Sequence, residues 1–192
     1  MKLFTVQNKK FYDMVSKNGY AVTNPVYSMA YPYAKFRRAY EWLTDKMDTA
    51  IGGRPSGVTY PVWGWQNLEK ESVLHHRYGK TGASMCLLTL DVPEKEVLLS
   101  DFHLWNIALC GNYVPLFHNS ELAEREKAVL RLLPEPDRRE YIESSWDRVF
   151  DVSGECLIQA SFWCIKKDYV RDVEFFTESK SCFYTRGHEC LL

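Results

Sequence analysis

Between Lys2 and Gln7 the chain alternates. Leu3, Thr5 and Gln7 fall on one side of an extended segment, Phe4 and Val6 on the other, because successive strand side chains point to opposite faces. The spacing then changes. Asn8 is placed to cap a short helix in which Phe11, Tyr12 and Val15 recur at helical intervals, and Gly19 is its natural stop. Residues 20–32 hold Pro25 and Pro32 and read as irregular chain or a short strand. The most regular stretch is 33–51. There Phe36, Ala39, Tyr40, Leu43 and Met47 form an apolar stripe, closed by Gly52-Gly53. After a turn, Tyr60-Pro-Val-Trp-Gly-Trp65 has the pattern of a strand with Tyr60, Val62 and Gly64 on one face and Trp63 and Trp65 on the other.

Residues 66–82 are polar and predict a loop, with Arg77 and Lys80 in it. Residues 85–92 predict a buried strand and 96–99 a short one. Ser100 stands as the cap of the next helix, with Asp101 at its positive end, and that helix carries Phe102, Leu104, Trp105 and Leu109 to a stop near Gly111. Two further helices, 120–133 and 137–150, are separated by Pro134-Glu-Pro136. A strand over 156–164, a turn from Lys167 and a last strand to Phe176 follow. Strands and helices do not alternate regularly, which predicts an α+β fold: a mixed, largely antiparallel sheet with surrounding helices. The expected organisation is a single domain over 1–176 with a helical insert near 119–150, then a polar C-terminal tail over 177–192.

Composition sharpens this in three ways. Aromatic residues make up 15% of the 192, including six Trp, which implies either an aromatic-filled core or rings lining a site for a flat ligand. A net charge of -1 is unlike the basic surface of a protein that coats nucleic acid. No apolar run approaches the ~20 residues of a membrane span, and the opening residues lack a signal-peptide core. These features predict a cytoplasmic protein, not membrane-bound, with its six scattered cysteines reduced. Neither a phosphate-binding glycine loop nor a metal-ligand spacing is present, so no metal is expected.

Several segments together carry a resemblance: Leu3-Phe-Thr-Val-Gln7, Ala39-Tyr-Glu-Trp42, Tyr60-Pro-Val-Trp-Gly-Trp65, Val97-Leu-Leu-Ser-Asp-Phe-His-Leu-Trp105, Ser145-Trp-Asp-Arg-Val-Phe150 and Ile158-Gln-Ala-Ser-Phe-Trp163. In this order they resemble a bacterial family catalogued as domain of unknown function 3841, which implies no activity. A second resemblance is to ADP-ribosyltransferase-like domains, carried by the opening strand and the helix ending at Gly19, by Gly154-Glu-Cys-Leu-Ile158, and by Lys167-Asp-Tyr-Val-Arg-Asp-Val173. It implies an NAD-dependent ADP-ribosyltransferase or NAD glycohydrolase, with NAD as substrate. Thr5 and Gln7 stand where that class carries a His or Arg.

Under that resemblance the catalytic candidates are Glu155 and Gln159. A carboxylate beside the ribose would stabilise the positive charge that builds as the nicotinamide bond breaks. The two lie ~13 Å apart on a straight strand at about 3.3 Å per residue, so only one can touch the reacting carbon. Thr5, Gln7, Tyr60, Trp63 and Arg77 are the candidates for holding the nucleotide. Each has an ordinary structural reading beside it: a satisfied core Gln159, a solvated Glu155, exposed strand residues at Thr5 and Gln7, a solvated loop at Arg77, and indoles packed as core. Two function classes remain: an enzyme acting on NAD through an aromatic-lined cleft, its protein or nucleic-acid acceptor open, or a non-catalytic module that binds a nucleotide, a nucleic-acid base or a partner protein.

Overall fold

The computed structural model describes residues 1–28, 33–75, 81–116, 120–153 and 156–179. Its strands are β1 (Lys2–Asn8), β2 (Tyr20–Ala21), β3 (Val62–Trp65), β4 (Ser84–Asp91), β5 (Leu98–Asp101), β6 (Ile158–Phe162), β7 (Ile165–Lys166) and β8 (Val170–Thr177). Its helices are α1 (Lys9–Asn18), α2 (Ala34–Ala50), α3 (Lys70–His75), α4 (Phe102–Leu109), α5 (Ser120–Leu132) and α6 (Asp137–Ser145). Six strands form one sheet in the order β5-β6-β3-β1-β4-β8, and β2 pairs with β7 in a small ribbon. Every neighbouring pair is antiparallel. The α+β class with an antiparallel sheet is therefore borne out. Among the described residues no helix is long and apolar enough to cross a membrane.

Local signals account for much of this. The Asn8 side chain accepts a hydrogen bond from the Lys10 N–H at 3.0 Å and so starts α1. Gly19 ends it at φ 84°, a left-handed conformation that favours glycine. The sheet's two faces are buried differently. Leu3, Val62, Leu88, Ala160 and Phe162 pack with Val15 of α1 on one side. Phe4, Val6, Trp65, Met85 and Leu87 pack with Val73 of α3 on the other, where Phe102 of α4 joins them. A third cluster joins the stripe of α2 (Ala39, Tyr40, Leu43, Met47) to Leu104, Trp105 and Ala108 of α4 and to Trp146 and Val149 of the turn that continues α6.

Four expectations need correcting. The polar stretch 66–82 is not wholly loop: α3 forms within it, because fully buried Val73 anchors a single helical turn against β1, too short a segment to show a helical period. The aromatic strand starts at Val62, not Tyr60; Pro61 has no N–H to give to a ladder. The helix cap is Asp101, whose Oδ1 accepts from the His103 and Leu104 N–H groups at 2.7 and 3.1 Å, while Ser100 is buried inside β5. Cys86, Cys156 and Cys164 are free thiols, as expected, but Cys110 is disulfide-bonded. Of the tail, residues 180–192 lie outside the described residues; Glu178, by contrast, is buried and its backbone bonds to Gly82 and Ala83.

Gly64 sits between the two indoles of β3, and the space beside it is filled. A Cβ there would stand 3.4 Å from Phe162 Cε1 and from the Phe4 carbonyl oxygen, and 3.6 Å from Leu3 Cβ. Those are ordinary contacts. Gly64→Ala is expected to change stability by less than about 1 kcal/mol, and Gly64→Val to destabilise by roughly 1–3 kcal/mol through overpacking. Thermal unfolding of the two variants checks this; equal midpoints would mean the space is open.

Candidate functional site

The pairing of β3, β5 and β6 brings three polar side chains together. Ser161 stands across from Trp63 on one side and Leu98 on the other; Gln159 stands across from Trp65 and from Ser100. Directly opposed residues of neighbouring antiparallel strands share a face. Ser100, Gln159, Ser161, Trp63 and Trp65 therefore lie on one face of the sheet. The three polar residues are deeply buried, at 1%, 9% and 0% exposure. Both serine Oγ atoms and the Gln159 Oε1 atom have no hydrogen-bond partner among the described residues.

Aromatic rings frame this patch. Trp105 meets Trp63 at 5.3 Å between centroids, and Phe102 meets Trp65 at 5.0 Å; both come from α4, whose start the Asp101 cap sets. Tyr40 of α2 adds an edge contact to Trp63 at 6.2 Å and to Trp105 at 5.6 Å. Two hydroxyls, each able to donate and accept, sit beside an amide oxygen that accepts. The patch carries no charge of its own. A buried polar atom left without a partner costs about 1–3 kcal/mol, so three on one face form an arrangement that a neutral hydrogen-bonding group would relieve.

The sequence-derived candidates divide around this patch. Gln159 and Trp63 belong to it. Tyr60 lies just outside, buried, with its ring 5.3 Å from that of Tyr40. Thr5 and Gln7 do not converge with them: they pair with Leu88 and Cys86 and share the opposite face with Leu3. Thr5 reaches Trp63 only through the backbone, its Oγ1 donating to the Trp63 carbonyl at 2.6 Å, and Gln7 Nε2 donates to Thr5 Oγ1 at 2.9 Å. One cleft lined by the side chains of Thr5, Trp63 and Gln159 is not formed, because a sheet lies between them. Glu155 and Arg77 lie outside the described residues. Ser100 and Ser161 were missed. Ser161 was legible as the second polar position of an alternating strand, Gln159-Ala-Ser161; Ser100 was concealed by its likeness to a helix cap. Among the described residues no group of three or more His, Cys, Asp or Glu is placed to hold a metal ion.

A family described as Domain of unknown function (DUF3841) matches residues 2–171 of the chain. No curated protein and no solved structure matches it.

Proposed function

We propose that this chain, which belongs to the Domain of unknown function (DUF3841) family, handles nucleotides, gripping a flat ring at the patch formed by Ser100, Gln159 and Ser161. The observation that carries the reading is three deeply buried polar atoms with no hydrogen-bond partner among the described residues, inside a frame of indoles. The edge of a nucleobase or a nicotinamide carboxamide supplies the donors and acceptors they lack, and the rings of Trp63 and Trp65 supply apolar contact. NAD is the ligand proposed, because its carboxamide and its adenine edge both present such donors and acceptors on a flat ring. Cleaving NAD would need an ionised carboxylate at the ribose, and Glu155, three residues before β6, is the residue proposed for it.

A second reading, a binding module without catalysis, is favoured by one observation. The described patch contains no carboxylate: Asp101, the nearest on β5, stands across from Ile158 on the other face and is engaged in capping α4. Incubation with NAD separates the two. Released nicotinamide that disappears in Glu155→Ala marks the enzyme; a ligand-induced rise in unfolding temperature without release marks the module.

The patch itself is tested by Gln159→Met combined with Ser161→Ala. The double variant is expected to lose all stabilisation by NAD or nicotinamide, yet to unfold no more easily than the parent without ligand. Removing two orphaned polar groups returns about 1–3 kcal/mol each, offsetting any loss of packing. A variant much less stable than the parent, with no ligand response in either protein, would make the patch ordinary core.

A further inference from the structure

A cavity of about 280 Å³ opens where the loop after α2 faces the end of β6 and the β7 ribbon. Ile51, Phe162 and Trp163 make its apolar side, and Glu96, Lys166 and Tyr169 its polar end. The walls are held in place. Trp163 Nε1 donates to the Gly52 carbonyl at 2.7 Å, and the Arg54 guanidinium lies 4.7 Å from the Trp163 ring centre, itself held by Asp48. At the polar end, Glu96 Oε2 accepts from Lys166 Nζ at 2.9 Å and from the Tyr169 hydroxyl at 2.5 Å. The other carboxylate oxygen makes no hydrogen bond among the described residues, and the Lys166 ammonium, bonded to Glu96 and to Tyr169, keeps one proton to donate. Burial works against the charge on Glu96, but the bonds from Tyr169 and Lys166 outweigh it and hold its carboxyl below the usual range.

We propose that this cavity is a second binding site, for a small aromatic ring that carries an amide. A cationic donor and an anionic acceptor 2.9 Å apart match the C=O and N–H that an amide presents side by side: the carbonyl takes a proton from Lys166 and the N–H gives one to Glu96. A carboxylate gains Lys166 but meets the Glu96 charge beside it, and an ammonium gains Glu96 but meets Lys166, so either charged head makes one of the amide's two bonds and is disfavoured against it. The ring lies against Phe162, Trp163 and Ile51, in a cavity of about 280 Å³, at the small end of the range for small-molecule sites. This site is separate from the serine–glutamine patch, because Phe162 and Gln159 point to opposite faces of β6.

The test uses benzamide, benzoate and benzylamine, three molecules of one shape, titrated while the Trp163 indole N–H signal is followed by NMR. Trp163→Phe identifies the signal. Benzamide is expected to shift it saturably, with the other two at least tenfold weaker. Glu96→Gln and Lys166→Met are each expected to weaken benzamide at least tenfold. Lys166→Met leaves Glu96 bonded to Tyr169, so the walls stay intact. Gln159→Met, on the opposite face of β6 from Phe162, is expected to leave the benzamide shift of the Trp163 signal as it is in the parent, whatever it does at the serine–glutamine patch. The proposal is overturned if benzamide gives no saturable shift, if benzoate or benzylamine binds as tightly, or if Gln159→Met rather than Lys166→Met removes binding.

Discussion

Trp105→Ala is expected to destabilise the protein by ~3–5 kcal/mol, the range for deleting a large buried aromatic side chain. For a chain of this length that lowers the unfolding midpoint by on the order of 10 °C. Trp105 is 3% exposed and stands where α2, α4 and β3 meet, with its ring against Tyr40 at 5.6 Å and Trp63 at 5.3 Å. Natural domains have only about 5–15 kcal/mol in total, so this single change removes a large part. Trp63 is only half-buried, and Trp63→Ala is expected to cost about half as much. The comparison bears on function. If Trp63→Ala costs as much as Trp105→Ala and responds to NAD as the parent does, then the Trp63 indole is core and not a binding wall. Urea unfolding of the two variants, with and without NAD, makes the distinction.

Arg148→Ala is expected to be the next most damaging change, at roughly 2–4 kcal/mol, because it strands a half-buried acid. Arg148 lies in the turn that continues α6. Its NH1 donates to the Tyr113 hydroxyl and the Val114 carbonyl, and its NH2 to Glu126 Oε1, all at 2.7 Å. Tyr113 in turn donates to the other Glu126 oxygen. One guanidinium thus ties together α5, the segment after α4 and the turn after α6. Burial opposes the charge on Glu126, but the bonds from Arg148 and Tyr113 outweigh it and hold its carboxyl below the usual range. Burial, with the Glu126 carboxylate adding to it, pushes the Tyr113 phenol up to about 12.

The sign of the pH dependence follows. A carboxyl whose pKa is lower in the folded than in the unfolded chain binds its proton more readily when unfolded. Its contribution is present above the unfolded value, about 4.3 for Glu, and is lost as pH falls through the lowered folded value. The stability gap between the parent and Arg148→Ala is therefore expected to be full at pH 7 and to narrow below about pH 4. Denaturant midpoints at pH 7 and pH 3 measure it. A gap unchanged at pH 3 would mean that Arg148 acts through packing and its bond to Val114, not through Glu126. Arg148→Lys should recover only part of the loss, since an ammonium lacks the fork that reaches three partners at once.

Much of the fold was legible locally, and the site much less so. β1, the Asn8 cap and the Gly19 stop of α1, the apolar stripe of α2 and the core strand β4 all announce themselves within a dozen residues, because cap chemistry and side-chain period are local properties. The errors fall where a local signal was ambiguous. Ser100-Asp101 offers two capping residues in succession, and the backbone chose the second. Val73 is a single buried anchor in a polar stretch, and one residue sets no period.

Alternation along one strand determined that Thr5 and Gln7 share a face, that Trp63 and Trp65 share another, and that Gln159 and Ser161 stand together. It could not determine how those faces match between strands. That was decided by pairings across long stretches of chain, Trp63 with Ser161 and Trp65 with Gln159, Thr5 with Leu88. A one-residue slip in any of these registers would exchange every inward and outward side chain, and only the packing of the whole sheet against α1, α2 and α4 selects among them. The same nonlocal choice brought Glu96, Lys166 and Tyr169 to one end of a cavity with Trp163. By itself the sequence determined what each strand offers on each side; the tertiary structure decided which offers meet.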